Sequence, residues 1–325
     1  MLVSKTRKIL RRIRKITKAS NDNTTLLQLL KTNVNQGVWV DAENQKLFYE
    51  AEKQGVHILP CHFYSPVPNT SELTDAVWQD YDAADLRYDE NAMLSLLQDF
   101  HEYKHELTET PFEQKKKHEY FINNTAFNGT DAFIYYYMIR HFKPKKLIEI
   151  GSGYSTLIAS KACLTNSTTD FIAVEPYPPS FLETSKIKGL TEFIPKFIQD
   201  VPVSFFEENL NEGDILFIDS SHVSKVGSDV NYIILRILPK LKKGVIIHFH
   251  DIFLPSEVQK EWVESLSIFW NEQYLLHALL IANGEYKTIM PNAYMGLKHT
   301  DALKKVMPVE LPYYYGGSYW LRKGV

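Results

Sequence analysis

Two stretches of the 325-residue chain end apolar runs in imidazoles and carboxylates. Ile215-Leu216-Phe217-Ile218-Asp219-Ser220-Ser221-His222 sets Asp219 and His222 just beyond four apolar residues. Ile246-Ile247-His248-Phe249-His250-Asp251-Ile252-Phe253 does the same for His250 and Asp251. If the runs are neighbouring strands, these side chains share one sheet edge, and alternation puts His248 and His250 on one face. Three roles are open to them. Two of the histidines, one or two of the aspartates and one further histidine form a ligand set for a divalent metal, suited to Mn²⁺, Zn²⁺ or Fe²⁺ more than to Mg²⁺. Such an ion holds a hydroxyl and lowers its pKa. Without metal, His222 or His250 serves as general base, because imidazole titrates near neutrality. In a structural role, the aspartates only orient histidines and cap loops.

The second chemical feature is Lys146-Leu147-Ile148-Glu149-Ile150-Gly151-Ser152-Gly153-Tyr154-Ser155-Thr156. An apolar strand ends at Ile150 and a helix begins near Ser155, with two glycines in the turn, where a ligand can approach the backbone closely. A dinucleotide site needs a third small residue where Thr156 stands. Glu149, two residues before the first glycine, repels a pyrophosphate and suits a cationic ligand. An ammonium and a sulfonium on one nucleoside, as in S-adenosylmethionine, match this charge pattern. Glu175 ends the next apolar run, 24 residues after Gly151, where a carboxylate accepts hydrogen bonds from ribose hydroxyls. Asp200 follows a third run and is placed to face the adenine. The candidate cofactor set is therefore Glu149, Gly151, Ser152, Gly153, Tyr154, Ser155, Glu175 and Asp200, with Asp219 at the neighbouring strand end.

The elements that must position these residues alternate from Thr130 onward. Helices are predicted over 131–142, 155–164 and 230–241. Strands are predicted over 147–150, 171–174, 192–198, 214–218 and 245–249. Each strand is nearly all apolar, which predicts an α/β fold: a doubly wound, mostly parallel sheet covered on both faces. Residues 286–290 and 317–322 add two strands, making seven. The last follows the turn-forming pair Gly316-Gly317 and inserts antiparallel. Upstream, Asp89–Leu107 reads as an amphipathic helix presenting Met93, Leu96, Leu97, Phe100, Tyr103 and Leu107. The Pro-rich segment 59–68 is an extended loop whose aromatics are expected to pack over a core edge, and Lys115–Lys117 a solvated helix face. The division expected is a basic arm over 1–20, a smaller helical accessory or lid region over 21–124, and a cofactor-binding domain over 125–325.

Composition excludes several classes. A net charge of −3 recommends no nucleic-acid partner. Two cysteines build no disulfide framework and fit a reducing, cytoplasmic setting. No apolar run approaches the roughly 18 residues of a spanning helix, and no signal peptide is apparent. Residues 1–18 hold eight basic side chains and no acidic one. With Ile9, Ile13 and Ile16 they read as a solvated arm or, alternatively, as a peripheral contact with an anionic membrane.

Residues 125–325 resemble the class I S-adenosylmethionine-dependent methyltransferases. Glu149-Ile150-Gly151-Ser152-Gly153 matches their first motif, with Ser155 where many members carry a third glycine. Glu175 matches the ribose acid and Asp200 the adenine-side acid. The resemblance is strongest to a bacterial branch sharing Phe-Ile-Asp-Ser-Ser-His, His-x-His-Asp-Ile-Phe and Gly-Gly-Ser-Tyr-Trp-Leu-Arg. It implies a Rossmann-like sheet and methyl transfer to a hydroxyl of a small molecule or glycan. More distantly, the chain is similar to metal-dependent O-methyltransferases of the catechol and macrolide-sugar types. That likeness makes Asp219, His250 and Asp251 the metal positions, and puts His222 where the catechol enzymes carry a lysine base. Rival readings are an NAD-dependent oxidoreductase, a metal-dependent hydroxylase on a similar sheet, and a non-catalytic nucleoside-binding module.

Overall fold

The computed structural model describes residues 42–324 apart from 58, 60, 128 and 183. The basic arm, with its expected membrane contact, lies outside the described residues. Among the described residues no helix is long and apolar enough to cross a membrane.

The chain divides into two compact units, residues 1–74 and 75–325. In the first, the helix Ala42–Lys53 is followed by an irregular segment. The aromatics of that segment do not cover a core edge as expected. Phe63 and Tyr64 are 81% and 61% exposed and instead pack on each other and on His62.

The second unit is built on a seven-stranded sheet. In chain order the strands are β1 (Lys146–Ile150), β2 (Asp170–Val174), β3 (Glu192–Ile194), β4 (Ile215–Ile218), β5 (Ile246–Phe249), β6 (Tyr286–Pro291) and β7 (Tyr319–Lys323). Their spatial order is β3-β2-β1-β4-β5-β7-β6, with β7 antiparallel to both neighbours. This is the doubly wound, Rossmann-like arrangement expected. The order reverses between β1 and β4, the place where an open parallel sheet leaves a crevice beyond its strand ends.

Period-two alternation sorts each strand's residues to the two faces. Leu147, Phe171, Ile215, Phe217 and Ile246 face one way, against the helices Gly129–Phe142 and Tyr154–Asn166. Ile148, Ile172, Leu216, Ile218 and Ile247 face the other, against Val203–Asn209, the helical segment 229–240 and Glu272–Ala282. The amphipathic segment near residue 100 is an α-helix over Glu90–Phe100 that tightens into a 3₁₀ turn over His101–Leu107. Met93, Leu97, Phe100, Tyr103 and Leu107 bury in the first of these cores. This helical segment thus belongs to the unit that begins at Asp75.

Three local expectations change. β3 stops at Ile194 because Pro195 cannot donate to the ladder. The helix expected over 230–241 runs as one α-turn, a π segment over Ile233–Ile237 and a 3₁₀ turn over Leu238–Lys240. Pro239 lacks the N–H that a regular helix needs there. Residues 115–117 lie exposed in an irregular stretch, with Lys116 in a bend and Lys117 in a turn, not on a helix.

Candidate active site

The turn after β1 is shaped by Gly151. Its φ is +88°, and a Cβ there would overlap the carbonyl oxygen of Asp219. Its N–H donates to Val174 O at 3.0 Å, and the N–H of Asp219 donates to Ile150 O at 2.9 Å. The ends of β1, β2 and β4 are thereby tied together where β1 hands over to the next helix. Thr156 completes the turn: its Oγ accepts from the N–H of Gly153 at 3.0 Å.

Glu149 has a different place from the one its charge suggested. It is fully buried beneath the turn, where Tyr135 Oη, Ser155 Oγ and Thr156 Oγ donate to it at 3.1, 3.0 and 2.5 Å. Burial pushes its carboxyl up to about 8, well above its ordinary value near 4.5, despite these donors. A carboxyl raised in the folded state binds a proton that the unfolded chain has lost. Stability contributed at this site is therefore full below about pH 4.5 and declines until about pH 8. Glu149→Gln removes the titration and keeps the shape. The variant's stability relative to the parent is expected to climb between pH 5 and pH 8, by roughly 1 kcal/mol per unit at most. Urea unfolding at three pH values checks this; a difference that stays flat would place the charge of Glu149 in solvent.

Two adjoining cavities open at this sheet edge, of about 430 and about 220 Å³. They share Gly151, Glu175 and Asp219. The larger is lined by Tyr177, Phe197, Ile198 and Gln199 among others, the smaller by Ser152, Gly153, Tyr154, Ser155, Phe127 and Phe181. Glu175 is half-buried and accepts from the Tyr177 N–H at 2.6 Å, and burial raises its carboxyl. Ser152 Oγ, Ser220 Oγ and Gln199 Oε1 are buried on this wall with no hydrogen-bond partner among the described residues. Gly151, Ser152, Gly153, Tyr154, Ser155, Glu175 and Asp219 of the expected cofactor set thus come together. Asp200 does not: it is exposed, and its neighbour Gln199 takes the lining position.

Asp219 also belongs to a cluster at the ends of β4 and β5. His222 Nε2 lies 3.2 Å from Asp219 Oδ1 and 3.6 Å from Asp251 Oδ2. His250 Nδ1 lies 3.5 Å from each of the same two oxygens. His222 and Asp251 both hold positive φ, +60° and +57°, which is uncommon for residues with a Cβ. Trp270 and Phe127 pack against the rings of His222 and His250. Asp219, His222 and Asp251 offer donor atoms within 4.8 Å of one another.

The electrostatics follow from burial and pairing. Burial opposes charge on His222, but hydrogen bonds to Asp219 and Glu272 outweigh it and push the imidazole up to about 10. His250 is likewise raised against its burial, by Asp251 and Asp219. The Asp219 carboxyl, despite its burial, is held well below the usual carboxylate range by the two imidazoles. His248 lies on the same face as His250 but outside the cluster. It is fully buried, bonds Ser318 Oγ at 2.9 Å and stacks on Phe217, and burial drives its pKa down.

Two acids that the sequence did not single out stand behind the histidines, Glu272 and Asp131. Asp131 accepts from the N–H groups of Gly317 and Ser318, both at 2.9 Å, and from Asn292 Nδ2 at 2.8 Å. Gly316 permits this approach, since a Cβ there would collide with the Asp131 carboxylate. A lone acid in the apolar helix Gly129–Phe142 was the available signal for Asp131. Glu272 opens its helix with no such contrast.

Residues 148–252 match a protein-family model described as a methyltransferase domain. An uncharacterized protein of Archaeoglobus fulgidus is 32% identical over 199 residues, covering 56% of this chain and 83% of that protein. Among solved structures, similarity extends to the O-methyltransferase TomG from Streptomyces achromogenes in complex with SAM. The identity is 10%, over 73% of this chain and 92% of that one, with a TM-score of 0.40. The O-methyltransferase from Bacillus cereus in complex with SAH is 13% identical over 70% of this chain and 91% of that one, with a TM-score of 0.37.

Proposed function

We propose that this chain, which belongs to the class I S-adenosylmethionine-dependent methyltransferase family, methylates a hydroxyl oxygen of a small molecule or glycan. The observation that carries the reading is the double role of Asp219. It walls both cavities at the glycine turn and anchors the imidazole–carboxylate cluster beside them.

S-adenosylmethionine supplies an electrophilic methyl on a sulfonium and leaves as a neutral thioether. Glu175 would accept hydrogen bonds from its ribose, while Tyr177, Phe197 and Ile198 flank the base. Ser152, Gly153, Tyr154 and Ser155 would hold the amino-acid end, where the orphaned Ser152 Oγ finds a partner. The acceptor is then oriented for in-line attack, which supplies most of the acceleration. As the new carbon–oxygen bond forms and the carbon–sulfur bond breaks, the hydroxyl proton passes to His222 or His250 in its neutral form, which is the minor form near pH 7 because the surrounding carboxylates hold both imidazoles protonated. The residues also fit a divalent metal. Asp219, His250 and Asp251 would hold it, and its chemistry there is to lower the pKa of the acceptor hydroxyl. A dication in place of two imidazolium protons leaves the charge of the cluster unchanged, so the buried site accommodates either state.

The test is transfer of labelled methyl from S-adenosylmethionine to a panel of polyhydroxylated acceptors. An ether product keeps its label in mild base. Label confined to amines or to base-labile esters would contradict O-methylation.

A further inference from the structure

Behind each imidazole at the ends of β4 and β5 stands a buried carboxylate. His222 directs Nε2 toward Asp219 and Asp251, and Nδ1 toward Glu272 Oε2 at 3.0 Å. The Glu272 side chain is 2% exposed. His250 directs Nδ1 toward the same two aspartates and Nε2 toward Asp131 Oδ2 at 3.6 Å. The two histidines thus present opposite ring nitrogens, yet both aim one nitrogen inward and the other at an acid.

The spacing inside the cluster is informative. The four nitrogen–oxygen separations are 3.2, 3.6, 3.5 and 3.5 Å. Three of them are longer than a good N–H···O hydrogen bond. Donor atoms bound to one ion at about 2.0–2.1 Å stand roughly 3.0–3.4 Å apart. These nitrogen–oxygen pairs are therefore slack as hydrogen bonds and close to the spacing of neighbouring ligands on one ion, and Asp219, His222 and Asp251 present donor atoms within 4.8 Å of one another.

We propose that Glu272 and Asp131 are positioning residues that fix His222 and His250. Nε2 of one and Nδ1 of the other then complete, with Asp219 and Asp251, a four-donor site for a transition-metal dication in preference to Mg²⁺. The inference rests on the reading of Asp219, His250 and Asp251 as metal ligands, and adds His222, two outer carboxylates and the class of ion. A carboxylate that accepts one ring N–H, as Glu272 does from His222 at 3.0 Å, leaves the opposite lone pair inward and strengthens it as a donor, while Asp131, 3.6 Å from His250 Nε2, orients that ring by charge. Two imidazoles favour Mn²⁺, Fe²⁺, Co²⁺ or Zn²⁺ and disfavour Mg²⁺, which binds oxygen and keeps its waters. The frame is stiff. The N–H groups of Asn271 and Glu272 both donate to His222 O, so Glu272 and His222 are set by one junction. Asp131 is pinned by the backbone at Gly317 and Ser318. The left-handed backbone at His222 and Asp251 puts conformational strain at two of the four donors.

The experiment uses the full chain without a polyhistidine tag, stripped by chelator. Co²⁺ is titrated by its visible absorption, alone and against Mg²⁺, while adenosylhomocysteine affinity is measured separately by calorimetry. One Co²⁺ per chain is expected, retained against a tenfold excess of Mg²⁺. Glu272→Gln and Asp131→Asn should each weaken Co²⁺ binding about 10- to 100-fold and shift its absorption bands, with adenosylhomocysteine affinity kept. Glu272→Asp should recover part of the loss. Should Asp131→Asn fold poorly, Glu272→Gln decides alone, because it lies on a different element. Displacement of Co²⁺ by an equal concentration of Mg²⁺ would overturn the proposal. So would unchanged Co²⁺ affinity in Glu272→Gln, or binding of adenosylhomocysteine with no Co²⁺. Failure of both ligands would overturn the methyltransferase reading with it.

Discussion

Asp219→Asn is expected to lower methyl transfer about 10²- to 10⁴-fold, the range for losing a group that manages a proton in the transition state. The carboxylate sits 3.2 Å from His222 Nε2 and 3.5 Å from His250 Nδ1. Both imidazoles depend on it for their raised affinity for a proton. An amide removes that charge, so either imidazole becomes a weaker base, and a metal held there loses an anionic ligand. The fold should survive. The backbone of Asp219 is fixed by its own N–H to Ile150 O and by close packing on Gly151, neither of which uses the carboxylate. Turnover at saturating S-adenosylmethionine, with near-ultraviolet circular dichroism as the folding control, checks the prediction. A variant within threefold of the parent rate would remove Asp219 from the chemistry.

The two glycines of the turn should differ sharply when replaced by alanine. At Gly151 the added methyl meets the backbone of Asp219, and φ is +88°. Strain of about 1–3 kcal/mol adds to an overpacking cost of about 1–3 kcal/mol. Relief requires Asp219 to move, so adenosylhomocysteine binding should fall with stability. At Gly153 a Cβ would meet no atom within 4 Å, and the residue lines the smaller cavity. Gly153→Ala should therefore keep stability within about 1 kcal/mol of the parent while the methyl takes up ligand space. Urea denaturation paired with calorimetry separates the two; equal losses of stability would contradict the assigned geometry.

The sheet was legible because its strands bury both faces, so each reads as a short apolar run ended by a chemical residue. Gly316-Gly317 marked the antiparallel strand, although for a reason invisible in sequence: Gly316 makes room for the Asp131 carboxylate and Gly317 for the backbone of Asp251. The cluster was legible in part. Asp219, His222, His250 and Asp251 follow strand ends and had to share an edge once β4 and β5 paired. Glu149 shows where charge reasoning falls short. The residue has the right type, but alternation sends it with Leu147 toward the helix Gly129–Phe142, where Tyr135, Ser155 and Thr156 receive it. Buried there, its carboxyl group makes no direct contact with the cavity where a cationic ligand would lie. Glu272 reaches the site across 50 residues through the packing of its helix, a contact that spacing along the chain does not encode. Asp200 had the right strand end but lies one residue past the lining position, because the chain turns into a short 3₁₀ segment over Ile198–Asp200.

Calorimetric titration with adenosylhomocysteine, in the parent and in Glu175→Ala, addresses the central claim most directly, with NAD as comparator. One adenosylhomocysteine should bind per chain and NAD should not. Loss of hydrogen bonds to a charged acceptor, about 1.5–3 kcal/mol, should weaken the variant roughly 10- to 100-fold. Binding of NAD with none of adenosylhomocysteine would contradict the account.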